Sequence, residues 1–110
     1  MSVDPGFDLH PEAAQDLADL WAYIAGYSPI AARNIRLEIL RVLSGLRAFP
    51  YQGYRRPDLT SRPLRFKVVR DYLIAYAPAQ RPIWVIAVMH GRQDPRIMAA
   101  ILRGREDSVH

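Results

Sequence analysis

The chain has 110 residues, half of them hydrophobic, no cysteine and a formal charge of +4. That length supports one core and excludes a second independent one, and the missing thiols exclude disulfides, thiolate metal sites and cysteine nucleophiles. No apolar run reaches the roughly 20 residues a bilayer demands, and the acidic start of the chain lacks the regions of a secretory signal, so a cytoplasmic protein with no membrane contact is expected.

The charge is unevenly spread. Asp4, Asp8, Glu12, Asp16 and Asp19 give residues 1–28 a charge of −5 with no Lys or Arg, which leaves +9 for the remainder. The basic residues are fourteen Arg and one Lys, Lys67. A basic body attracts nucleic acid or acidic polypeptide, and arginine favours two-pronged contacts to phosphate or carboxylate. Composition bias explains the arginine excess equally well.

Residues 3–9 read as a short strand, held to an edge by Pro5. A helix is expected over residues 10–25. Pro11 stands at its first position and Ala13, Leu17, Leu20, Trp21 and Ile24 form its apolar stripe, with Asp16 and Asp19 on the opposite side. Gly26 ends it. Ser28 and Pro29 then cap and start a second helix, buried through Ala32, Ile35, Ile39, Val42, Leu43 and Leu46, and stopped by Pro50. Its outward residues are Arg33, Arg36, Arg41 and Arg47. The short link makes the two helices an antiparallel hairpin with one acidic and one basic arm.

A loop rich in Pro, Gly and Arg over residues 51–63 leads to three strands. Residues 64–69 alternate Leu64, Phe66 and Val68 against Arg65, Lys67 and Val69. Residues 72–77 and 83–90 are apolar on both faces, as buried strands are. Short turns predict an antiparallel meander. Asp94 and Pro95 open a final helix to about Arg105, with Ile97, Ala100 and Ile101 inward. The order β-α-α-β-β-β-α defines an α+β fold: a helix hairpin on an antiparallel sheet with a short C-terminal helix.

Three stretches in that order resemble the RelE/ParE superfamily of bacterial toxins. They are Leu9-His10-Pro11-Glu12-Ala13-Ala14-Gln15-Asp16-Leu17 running into Trp21-Ala22-Tyr23-Ile24; Arg65 with Arg70-Asp71-Tyr72-Leu73-Ile74-Ala75-Tyr76; and Val85 through Pro95, with its His90-Gly91-Arg92-Gln93-Asp94 core. The resemblance covers nearly the whole chain. It implies one toxin domain over residues 1–110, a type II toxin–antitoxin system, a plasmid-stabilising role, no cofactor, and a cognate antitoxin as partner in a heteromeric complex.

The superfamily divides by target. RelE-like members cut mRNA on the ribosome, whereas ParE-like members inhibit DNA gyrase. Metal-free RNA cleavage needs a base, an acid and cations for the phosphate. The candidates for that chemistry are Arg65, Lys67, Arg70 and His90, with Tyr72 and Tyr76 for stacking. Each has a plainer reading. Arg65 and Lys67 suit the wet face of an edge strand, Tyr72 and Tyr76 share a packing face with Ile74, and His90 suits a turn. RelE-like nucleases usually place a Tyr soon after the last strand, and no Tyr follows Tyr76 here. The His-Gly-Arg-x-Asp ending and the Trp-x-Tyr-Ile segment favour the ParE-like branch, which binds rather than cleaves. A ribosome-dependent mRNA endonuclease and an inert antitoxin-binding homologue stay open. The expected surfaces for antitoxin or target are Arg33, Arg36, Arg41, Arg65, Lys67, Tyr72, Arg92 and Arg103. His10, His90 and His110 are too isolated to bind a metal.

Overall fold

The computed structural model describes residues 6–105. A first strand, β1 (Phe7–Leu9), leads directly into α1 (Pro11–Ala25). Residues 3–5 of the expected first strand lie outside the described range, as does His110. His10 is the cap of α1 and Pro11 its first residue, as the sequence places it. Its Nδ1 accepts the Glu12 N–H at 2.9 Å, satisfying a helix-end donor, and its ring lies against Trp84.

The second helix, α2 (Pro29–Gly45), begins as its sequence dictates: the Ser28 hydroxyl accepts the Ala31 N–H at 3.1 Å. It ends earlier than Pro50 would force. Leu46 and Arg47 donate to carbonyls only three residues back, which tightens the last turn, and Pro50 instead opens a single 3-10 turn, Pro50–Gln52.

Three strands follow: β2 (Arg65–Val69), β3 (Tyr72–Ala77) and β4 (Ile83–His90), then α3 (Pro95–Gly104). The sheet order is β1-β4-β3-β2. The expected antiparallel sheet is a mixed one. β2–β3 and β3–β4 are antiparallel, but β1 runs parallel to β4, with Phe7 opposite Ile83 and Leu9 opposite Val85. The physical reason is the long crossover: the helix hairpin and two more strands intervene, so no tight turn dictates the direction of this pair.

Both faces of the sheet are covered. The hairpin packs Leu17, Ile35, Ile39 and Leu43 on one side against Ile74, Tyr76, Ile83 and Val85. On the other side α3 and the long loop pack Met98, Leu102, Leu59 and Leu64 against Phe66, Leu73, Ala75 and Ile86. That explains why β4 is apolar throughout. It also corrects the inward face of α3, which is Met98 and Leu102. Ile101 is half-buried, while Ile97 and Ala100 are exposed. The shift follows from α3 beginning at Pro95, so that positions 98 and 102, four apart, share the sheet-facing stripe. In β2 the alternation holds at Phe66 but not at its end: Val69 is buried under the hairpin and Val68 is exposed.

Candidate functional site

Arg65, Lys67 and Val69 share one face of β2. The 3-10 turn sits over the first two of them. The Arg65 guanidinium donates to the Gly53 carbonyl at 3.2 Å and lies 5.3 Å from the Tyr51 ring. The Lys67 ammonium donates to the Gln52 side chain at 3.0 Å. The turn itself is pinned by Tyr76, fully buried on β3. Its hydroxyl donates to the Pro50 carbonyl at 2.7 Å and accepts the Gly53 N–H at 3.0 Å. A Cβ at position 53 would stand 2.7 Å from both the Tyr76 hydroxyl and the Phe66 carbonyl, so only glycine fits. Burial raises the Tyr76 phenol above its ordinary pKa, which keeps it a neutral donor.

Arg70 occupies the β2–β3 hairpin in the left-handed region, with φ +53°. Positive φ at the first turn position matches the twist of the flanking strands. Its side chain runs back to Glu38 on α2, with a 2.6 Å ion pair. His90, exposed at the end of β4, accepts the Arg92 N–H on Nδ1 at 3.1 Å and meets Tyr72 edge-on at 5.5 Å. The four nuclease candidates therefore contact four different places: Gly53 and Tyr51, Gln52, Glu38, and the Arg92 amide. The structure gathers Arg65 and Lys67 beneath one turn, and it does not bring His90 to them. His90 lies opposite Tyr72 on β3, at the far end of the sheet from the Arg65–Tyr76 pair.

The remaining surface candidates are separate from these. Arg33 and Arg36 flank an apolar groove of about 570 Å³ between α1 and α2, floored by Trp21, Ala32, Leu37 and Leu40. The Arg36 guanidinium lies 4.7 Å from the Trp21 ring. Arg41 and Arg92 are exposed. Arg103, also exposed, borders a hollow shared with Asp58 to Arg62. Tyr72 is half-buried, and its phenol is raised in pKa by burial first, then by Tyr27, Asp71 and Tyr23.

One charged pair was misplaced by sequence reasoning. Asp16 does not point away from the core. Its carboxylate accepts two hydrogen bonds from Arg105, at 2.7 and 3.1 Å, and the Val88 N–H at 2.9 Å. Arg105 also donates to the Ile86 carbonyl at 2.8 Å and approaches Glu12 at 3.7 Å. The reason lies in the sheet. β1 ends opposite Val85, and β4 carries an extra residue where Ala75 pairs with Ala87 but Tyr76 with Val85. Beyond Val85 no strand among the described residues pairs with the outer edge of β4, and the two side chains take up its backbone groups there instead. The available signal was slight: Asp16 borders the apolar stripe, three residues after Ala13 and four before Leu20.

A chain of this order, with a helix hairpin followed by a sheet and a short terminal helix, has the fold of RelE/ParE-type toxins. Within that class, the model of the ParE toxin of type II toxin–antitoxin systems, parDE, matches residues 7–95, and the chain belongs to that family. No curated protein matches it. Family membership brings a cognate antitoxin as partner. No helix among the described residues is long and apolar enough to cross a membrane, and these residues hold no group of three or more His, Asp or Glu placed for a metal ion.

Proposed function

We propose that this type II toxin acts by binding rather than by cutting RNA, with DNA gyrase as its target and the cytoplasm as its place of action. The observation that carries this reading is the dispersal of the cleavage candidates. Arg65 and Lys67 hold a turn, Arg70 is paired with Glu38, and His90 caps the Arg92 amide. General acid–base cleavage needs its base, acid and phosphate cations within hydrogen-bond reach of one point. The missing Tyr after β4 and the His90-Gly91-Arg92-x-Asp94 ending support the same reading. The groove between α1 and α2, apolar at its floor and flanked by Arg33 and Arg36, suits an amphipathic acidic helix of the antitoxin.

The deciding experiment is brief induction in bacteria with parallel pulse-labelling of DNA and protein synthesis. DNA synthesis is expected to stop first, with damage signalling and with mRNA intact. Early arrest of protein synthesis with cleaved mRNA would overturn the proposal in favour of a ribosome-dependent endonuclease. Undisturbed growth at high expression would reduce the chain to an inert antitoxin binder.

A further inference from the structure

A second cleft, of about 580 Å³, opens between α1, the start of the hairpin turn and the ends of β3 and β4. Asp16, Asp19 and Asp71, the tyrosines Tyr23, Tyr27 and Tyr72, and His90 with Leu20 and Val88 line it. Asp16 is engaged by Arg105, while Asp19, among the described residues, meets only the neutral amide of Gln15 at 2.8 Å. Asp71 contributes its backbone carbonyl to the Gly91 N–H, and its carboxylate makes no ion pair among the described residues. Asp19 and Asp71 thus line the cleft with no ion pair among the described residues.

The rings are an independent observation. Tyr23 and Tyr27 are 71% and 70% exposed and are held edge to face, with centroids 5.6 Å apart. Large aromatic surface left in water at one spot marks an interaction site. Aromatic faces beside carboxylates select for an ammonium or guanidinium group, which both attract. The same field repels phosphate, so nucleic acid is a poor occupant.

The partner follows from the charge map. Residues 1–28 carry −5 and the remainder +9, so a polypeptide lying across both regions gains by presenting acid to one and base to the other. We propose that this cleft seats a lysine- or arginine-bearing segment of the cognate antitoxin, separately from any acidic segment on the α1–α2 groove. The proposal rests on family membership and not on the identity of the toxin's target.

The test is isothermal titration of the full-length toxin, released from its co-purified complex, with that antitoxin. Replacing Asp19→Asn together with Asp71→Asn is expected to weaken binding roughly tenfold and to make it less sensitive to salt. Tyr23→Ala and Tyr27→Ala should each weaken it severalfold, with unchanged circular dichroism and melting temperature. These single variants keep the test intact should the double variant misfold. Unchanged affinity and salt dependence in folded variants would overturn the proposal. So would retained antitoxin affinity with lost gyrase inhibition, which assigns the cleft to the target, or lost self-association, which assigns it to a second copy. Because antitoxin affinity is read directly, failure here leaves the gyrase reading standing, and the reverse holds too.

Discussion

The two outer edges of the sheet meet the same demand by different means. At the β2 edge the long loop makes one bridge, Tyr54 with Phe66, and half-exposed Arg65 and Lys67 hold the 3-10 turn through single hydrogen bonds. At the β4 edge β1 covers the first three residues, and beyond it the Asp16–Arg105 pair takes over, with the two side chains only 21% and 10% exposed. Charge is common to both edges, and burial separates them. An exposed cation near a carbonyl contributes little, because water serves it nearly as well. A carboxylate only 21% exposed that holds a guanidinium and a backbone amide is harder for water to replace, and its loss leaves the amide without its acceptor.

The strongest way to break this contrast is Asp16→Ala. It removes the acceptor of the Val88 amide and two hydrogen bonds of Arg105, which keeps the Ile86 carbonyl, and a loss of about 2–4 kcal/mol is expected in urea unfolding. A loss within the range of an exposed pair would erase the distinction between the edges. Next in size is Tyr76→Phe, which keeps the ring but removes both hydroxyl bonds beneath the turn. Stability should fall by about 1–2 kcal/mol, and amide exchange should accelerate at Gly53.

Smaller still is a pH effect at the β1–β4 edge. Burial, and then the positive charge of Arg105, hold His10 below its ordinary value of 6.5. A depressed folded-state pKa means that the unfolded chain takes up the proton first. Stability contributed by neutral His10 is therefore full above the unfolded value and declines as pH falls through the folded one. Melting temperatures should drop as pH falls below about 6.5, and His10→Asn, which retains a capping acceptor, should flatten that drop. The smallest effect belongs to the β2 edge. Arg65→Ala with Lys67→Ala should cost less than about 1 kcal/mol. Toxicity that survives in this folded double variant would remove the basic strand face from the toxin's action.

Local chemistry made much of the fold legible. Ser28 and Asp94 each precede a proline and each caps a helix through its side chain, at Ala31 and Arg96 respectively. Asp94 is held below its ordinary pKa by its hydrogen bonds to Arg96, as a carboxylate at a helix start should be. The boundaries of β3 and β4 follow from their unbroken apolar runs. The inward face of α3 did not follow, because Ile97 and Met98 are both apolar and only docking chooses between them.

The candidate site was legible in part. Arg65 and Lys67 share a strand face, as the two-residue period requires, yet nothing in that period announces the 3-10 turn that covers them. The plain reading of His90 as a turn-shaping residue agrees with its bond to the Arg92 amide.

The sequence by itself determined the order of elements, the helix hairpin and the family, because caps, periodicity and short turns are encoded within a few residues of one another. Tertiary structure alone decided that β1 runs parallel to β4, that Asp16 meets Arg105, and that three aspartates and three tyrosines share a cleft. Each of those joins positions far apart in the chain, and each depends on where a neighbouring strand stops, which no local pattern records.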